Sequence, residues 1–217
     1  MKRLLNKELR LAASPLSYIF LAGALMTLLP GYPILVGAFF ICFGIFHSFQ
    51  NAREANDVLF TVLLPVKKSD FVRAKFAFSC LIQLVGFALC AALTALRMTA
   101  LSAVLPYVNN ALMNATPVSL AFTLLIFAAF NLLFIGGFFK TGYKFGMPFL
   151  RFGIAAFLLI GIAETLHHLP GLGFLNTPAG ERLGLQFAAL AVSALLYAGI
   201  TLLACKRAEA RFEKIDL

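Results

Sequence analysis

Charge is scarce in this chain. Of its 217 residues 12% are Asp, Glu, Lys or Arg, about half the roughly 25% of an ordinary soluble domain, while 61% are hydrophobic and the mean hydropathy is +0.92. That balance excludes a water-soluble enzyme fold, a disordered chain and a collagen-like repeat. Acids are scarcer than bases, nine against eighteen. The net charge of +9 is divided among short segments that flank apolar runs, so a nucleic-acid module is excluded as well. Cysteine is limited to Cys42, Cys80, Cys90 and Cys205, each in or beside an apolar run. Their spacing lacks the close pairing of a zinc site or redox motif, and they read as packing residues. A GxxxxGK[ST] phosphate loop is missing, because Gly136-Gly137 before Lys140 has neither the spacing nor a preceding strand. No internal repeat or inverted pair of broken helices is visible, which argues against a secondary transporter. Residues 1–10 are basic and precede no small-residue cleavage site, so they are expected to be retained rather than removed as a signal peptide.

What remains is long apolar runs. A helix rises about 1.5 Å per residue and must cross about 30 Å of hydrocarbon, so roughly 20 apolar residues make a span. Forty-two uncharged residues lie between Arg10 and Arg53, interrupted by Pro30-Gly31-Tyr32-Pro33, which predicts a helical hairpin with arms at about 11–29 and 34–50. Both arms are short, and a tilted or partly interfacial first helix is expected. Residues 76–96 form a third span between Lys75 and Arg97. In the next charge-free interval, Pro106, Asn109, Asn110, Asn114 and Pro117 mark 97–117 as an outer loop that dips back towards the membrane or lies outside it, and 118–139 as a fourth span. Further spans are expected at 148–168 and 183–205, with a tail at 206–217. Twenty-four phenylalanines supply packing and lipid-facing area, and glycines 23, 44, 86, 136, 137, 153 and 161 permit close helix contacts.

Orientation follows from the lysines and arginines. With six spans, sixteen of the eighteen fall on one side and only Arg97 and Arg182 on the other. The expectation is therefore an all-α polytopic membrane protein, one transmembrane domain over 1–217, with both termini cytoplasmic. Residues 1–10 alternate Leu4, Leu5 and Leu9 with Lys2, Arg3, Lys7 and Arg10, the pattern of an interfacial amphipathic helix drawn to anionic lipid. A positive tail that only sets topology is the plainer reading.

The longest cytoplasmic connection, 51–75, carries the most information. It opens with Asn51, Arg53, Glu54, Asn56 and Asp57, continues through apolar residues 58–64 to Pro65, and then reads Lys67-Lys68-Ser69-Asp70. Ser69 or Asp70 is suited to cap a helix leading into the third span. The pattern predicts a short amphipathic helix outside the bilayer, a proline break and a second helix that re-enters it. An ordinary solvated loop is the plainer alternative to a docking element.

Here residues 53–57 and 64–76 resemble the first cytoplasmic loop of type-2 ABC exporter permeases: an acidic polar start, a coupling helix, a leucine-proline-valine step and a valine-x-x-lysine-aromatic lead-in to the third helix. Residues 138–146, Phe-Phe-Lys-Thr-Gly-Tyr-Lys-Phe-Gly, resemble the loop between the fourth and fifth helices in a small stand-alone branch of that family. That branch often carries a tryptophan where this chain has Asn56, and the chain has no tryptophan at all. The resemblance implies a bacterial cytoplasmic-membrane permease that is not itself an enzyme. It implies two copies of a cytoplasmic ABC ATPase binding ATP and Mg, with no cofactor in this chain, and a second permease subunit, identical or related. The coupling residues carried over are Arg53, Glu54, Asn56, Asp57, Val58, Leu59, Leu63 and Pro65. Glu54 and Asp57 would pair with bases on the ATPase, and Val58, Leu59 and Leu63 would fill its apolar floor. The cargo the branch implies is a hydrophobic or amphipathic peptide, of antimicrobial or cytolytic type.

Glu164, His167 and His168 form the one ionisable cluster expected near membrane depth. Residues 164 and 168 share a helix face, a spacing that metal-binding bundles use, but HExxH or further ligands are lacking. No metal is expected there. The residues read as the outer end of the fifth helix, with a role in gating or the substrate path as the sharper reading. The rivals to an exporter are a non-catalytic membrane scaffold or sensor that docks a cytoplasmic partner, an intramembrane enzyme built on this cluster, and an ion-coupled carrier.

Overall fold

The computed structural model describes residues 2–108, 110–141, 144–178 and 182–215. They are helical, with no strand among them, as expected where backbone groups in lipid must be satisfied within their own segment. Helix α1 is α-helical over Lys2–Lys7 and continues as a π-helical turn over Glu8–Ala12. Ala13 and Ser14 are extended, and α2 starts at Pro15, with the Ser14 side chain accepting from Leu16 N. Proline at the first helical position and a serine N-cap favour a new helix here, and the axis turns by 93° between α1 and α2. The polar groups at the bend are taken up by the next helix. Ser14 N donates to Ser48 Oγ at 2.8 Å, and the Ser17 hydroxyl, which donates to the Gly44 carbonyl, lies 2.6 Å from that of Ser48.

Helix α2 is α-helical over Pro15–Ile19 and 3₁₀ over Phe20–Leu28. The remaining elements are α3 (Val36–Glu54), α4 (Asp57–Leu63), α5 (Lys68–Thr99), the short α6 (Leu105–Val108), α7 (Pro117–Phe138), α8 (Gly146–Leu166), a 3₁₀ turn at Gly173–Asn176 and α9 (Leu183–Phe212). Neither Ser69 nor Asp70 caps α5. The helix starts at Lys68, with Lys67 in the extended N-cap position and no side-chain cap, and Lys68 Nζ donates to the Ile215 carbonyl at 2.6 Å.

Among the described residues four helices are long and apolar enough to cross a membrane: α5, α7, α8 and α9. The bent pair α1 and α2 makes a fifth if taken as one span. Six such spans are therefore not found, and the difference lies in the expected first hairpin. Helix α2 has 14 residues, although its 3₁₀ half, rising about 2 Å per residue, stretches it to roughly 25 Å. Helix α3 spends its last turn on Gln50, Asn51, Arg53 and Glu54. The two still cross closely. A Cβ on Gly37 would lie 2.3 Å from the Gly23 carbonyl oxygen, so glycine at both positions lets the backbones touch. Gly153 and Gly161, by contrast, face open space and make no close helix contact within this chain.

Helix α7 is the most enclosed of the four long helices, with α3, α5, α8 and α9 around it. Phenylalanines fill the layer between α3, α7 and α8: Phe46 and Phe149 stand 4.1 Å apart, Phe130 and Phe152 4.9 Å, and Phe49 and Phe134 5.1 Å. Midway along α7 the helix widens into a π segment, Phe130–Ile135. There the Asn131 amide exchanges two 3.0 Å hydrogen bonds with Gln83 of α5 and donates to Thr201 of α9, while the Tyr197 hydroxyl donates to Gln83 Oε1. This uncharged clamp ties three helices together at the centre of the bundle.

The polar ends of the bundle are distinct. At one end α1, α4, the start of α5 and the end of α9 meet, the last two joined by a bidentate Arg73–Glu209 pair at 2.9 Å. At the other end the turn after α2 meets the 97–117 loop. Gly31 N donates to Asn110 Oδ1, Arg97 to the Thr27 carbonyl and the Tyr107 hydroxyl to the Leu28 carbonyl.

Candidate functional site

The connection between α3 and α5 is built by one unusual backbone residue. Asn56 has φ 52° and ψ 28°, the one described non-glycine residue with positive φ. Asparagine tolerates that left-handed conformation better than most residues, and its carbonyl accepts from Phe60 N as α4 begins. Asn56 therefore turns the chain away from α3. Helix α4 has two faces. Val58 and Thr61 are buried and Asp57 is largely covered, whereas Leu59, Phe60 and Leu63, with Leu64 beyond, are exposed, Phe60 at 64% and Leu63 at 84%. Of the three expected apolar contacts, Leu59 and Leu63 stand outwards, joined by Phe60, while Val58 packs inwards. Arg53 lies over the Phe145 ring at 4.9 Å. Glu54 is exposed and accepts from Gln50 at 3.3 Å, and Pro65 is exposed.

Beneath α4 lies an ion cluster that sequence reasoning missed. Lys75 of α5 and Glu8 of α1 are each 1% exposed and paired at 2.6 Å. Asp57 bridges two lysines: Oδ1 pairs with Lys7, and Oδ2 lies 3.6 Å from Lys75. Lys7 Nζ also donates to Thr61 Oγ1 at 2.7 Å and stands 3.7 Å from Glu8 Oε1. Lys75 is flanked by the rings of Phe49 and Phe71 at 5.5 and 5.6 Å, with Lys7 5.5 Å from the Phe71 centroid. Two ammonium groups and two carboxylates cancel, which is the condition under which charges can stay buried. Asp57 is thus turned inwards, towards bases of its own chain.

A signal for this cluster exists in the sequence. Phe71, Lys75, Phe78 and Ile82 follow the spacing of one helix face, and all four are buried. Glu8 shares a face with Leu4 and Leu5 in the same way. A lysine and a glutamate each placed on an apolar stripe are complementary partners.

The other predicted group lies at the opposite end. Glu164 Oε2 accepts from Met113 N at 2.7 Å, and the buried His167 has Nε2 3.5 Å from the Ala111 carbonyl oxygen. His168 is exposed, with its ring centroid 4.0 Å from that of His167. Glu164 and His167 hold the 110–114 segment against α8. No group of three or more His, Cys, Asp or Glu residues fit to hold a metal occurs among the described residues. In the 138–146 motif, Gly142 and Tyr143 lie outside the described residues; Asn109 of the outer loop does too.

Residues 3–205 match the sequence model of a family described as ABC-2 family transporter protein. No curated protein and no solved structure matches the chain.

Proposed function

The chain belongs to the ABC-2 transporter family, and from that premise we propose that this multi-pass permease is the export path of an ATP-driven transporter, worked through α4 by a separate ATPase. The observation that carries the coupling role is the two-faced α4. Its outer face, Leu59, Phe60 and Leu63, projects from the end of the bundle where the basic segments gather. An exposed cluster of large apolar residues on a short helix outside the lipid needs a partner surface. Glu54, also exposed, is the carboxylate at its rim, while Asp57 serves inside.

The inner face explains how force would travel. Asp57 binds Lys7 of α1 and lies beside Lys75 of α5, so displacement of α4 by the ATPase moves α1 and the start of α5 as one body. ATP and Mg are held by the partner, whose hydrolysis supplies the stroke. The segregation of bases supports a cytoplasmic position for this end, and the family reading supports a bacterial plasma membrane. With the turn after α2 reaching the 97–117 loop, α2 and α3 both traverse the bundle, and the layout is six passes with cytoplasmic termini. A second permease copy, identical or related, and two ATPases complete the transporter.

For cargo we favour a hydrophobic or amphipathic peptide. The polar centre of the bundle, Gln83, Asn131, Tyr197 and Thr201, is uncharged and its groups bind one another. The outward face of α8, with Leu150, Ile154, Phe157 and Leu158, is apolar, a surface suited to a molecule that partitions into lipid.

Co-purification with the cognate ATPase and measurement of ATP hydrolysis test this reading. Phe60→Asp and Leu63→Asp should each abolish complex formation or reduce permease-dependent hydrolysis by at least tenfold, with the chain still inserted in the membrane. Failure of the wild-type chain to associate with any ABC ATPase would remove the proposal.

A further inference from the structure

Arg97 is the last charged residue of α5, 22 residues beyond Lys75, about 33 Å along the helix at 1.5 Å per residue, and so at the opposite end of the bundle. It is 5% exposed. Lys75 at a comparable depth has two carboxylates, but Arg97 has none within ion-pair distance among the described residues. Its guanidinium donates through one terminal nitrogen to the Thr27 carbonyl at 2.8 Å and through the other to Asn114 Oδ1 at 3.0 Å, and it stacks 4.3 Å from the Tyr107 centroid. The first bond caps the end of α2, where a cation is favoured by the helix dipole. Those two bonds use two of the five N–H donors that a guanidinium carries.

The cation borders a cavity of about 300 Å³, lined by Arg97, Ser102, Tyr107, Asn114, Asn176 and Thr177 among others. The hydroxyls of Ser102, Tyr107 and Thr177 already donate to the carbonyls of Thr99, Leu28 and Gly173. Asn176 is bound to Asn114 N and to the Leu112 carbonyl. The Asn114 amide accepts through Oδ1 and keeps its nitrogen hydrogens, beside the remaining hydrogens of Arg97. Glu164, the one carboxylate described at this end, is engaged by Met113 N and does not line the cavity. A buried cation without a counter-charge is costly, and a planar fork with spare donors matches an oxyanion.

We propose that the cavity beside Arg97, at the end of the bundle opposite α4, is an oxyanion-binding site, taking a phosphate group from an anionic phospholipid headgroup or from solution. The guanidinium and the Asn114 amide supply the hydrogen bonds, at the point where Tyr107 and Asn110 already meet the end of α2 and the turn after it. The inference rests on this cavity alone and is independent of how α4 meets an ATPase.

The test uses the full chain in phosphatidylcholine nanodiscs. One arm titrates inorganic phosphate against chloride at matched ionic strength and follows Tm; the other measures retention of phosphatidylglycerol over phosphatidylcholine by native mass spectrometry. At least one arm should show binding that weakens tenfold or more in Arg97→Gln. Asn114→Asp is the second variant. It sets a carboxylate beside Arg97, so it should abolish binding while leaving Tm equal or higher, which keeps the test decisive if Arg97→Gln fails to fold. Response to phosphate alone assigns a soluble oxyanion, and retention of phosphatidylglycerol alone assigns a lipid. No response in either arm, or a response undiminished in Asn114→Asp, overturns the site and leaves Arg97 as a helix cap.

Discussion

Lys75 is a charge held between two aromatic rings at the end of the bundle where α1, α4 and α5 meet. In the sequence it stands in a basic run and counts towards topology; in the fold it is enclosed by Phe49 and Phe71 and paired with Glu8. Burial of this kind has a defined thermodynamic signature. Removing one partner strands the other charge and costs about 3–5 kcal/mol, whereas replacing both by apolar groups is often close to neutral. Lys75→Met should therefore destabilise the chain by about that amount, and Lys75→Met with Glu8→Leu should recover most of it, measured by denaturant unfolding in detergent. Equal losses in the single and double variants would show that the pair is not coupled. The same residue marks a limit of pattern reading. The stripe of Phe71, Lys75, Phe78 and Ile82 is visible in the sequence, but which carboxylate neutralises the lysine depends on the direction in which α1 folds back; Ser14-Pro15 marks the break locally, and long-range contacts to Ser48 fix the direction.

At the scale of elements, legibility tracked length. Helices α5, α7 and α9 follow from charge-free apolar stretches near 20 residues, and α8 from one with Arg151 and Glu164 near its ends, because lipid thickness sets the length of a span. The first hairpin was harder, since its arms are short and α2 reaches across with a 3₁₀ half. Helix α2 is bound to α3 by the Ser17 and Ser48 hydroxyls and by close approach at Gly44 and at the Gly23–Gly37 pair, and of these glycines Gly23 and Gly44 stand out in the sequence while Gly37 does not. Glycine content by itself does not separate a crossing point from an open face, as Gly153 demonstrates. The distinction is measurable. Gly37→Ala places a methyl 2.3 Å from a backbone oxygen, and the forced separation should cost about 1–3 kcal/mol. Gly153→Ala meets nothing and should leave Tm unchanged or raise it slightly, since alanine is the better helix former by roughly 1 kcal/mol. The comparison is made on the isolated chain by thermal unfolding in detergent, and similar losses in both would contradict the crossing. Helix α4 falls between these cases. Its position between an acidic start and Pro65 was readable, but its facing was not, because Asn56 rotates α4 so that Asp57 points inwards and Phe60 outwards.

For the whole molecule the charge distribution and the contacts between ends make one argument. Sixteen bases gather, by the six-pass layout, on the side of α4, and the fold joins α1, α4, α5 and α9 there through Lys7–Asp57, Lys68–Ile215 and Arg73–Glu209. The turn after α2 is held at the far end by Asn110, Arg97 and Tyr107. Helix α2 alone is too short to count as a span and α3 ends on Gln50, Asn51, Arg53 and Glu54, so these contacts, and not hydropathy, are what support the proposed crossings of α2 and α3. Single cysteines read the consequence directly. Tyr32, Leu63 and Leu105 are exposed, at the turn after α2, on α4 and in α6. In intact cells of a cysteine-free background a membrane-impermeant maleimide should label Tyr32→Cys and Leu105→Cys from outside, and Leu63→Cys only after permeabilisation. Labelling of Tyr32→Cys together with Leu63→Cys would place the first hairpin in the cytoplasmic interface and reduce the layout to four crossings. Labelling of all three from one side would break the link between the basic end and the cytoplasm on which the coupling role of α4 depends.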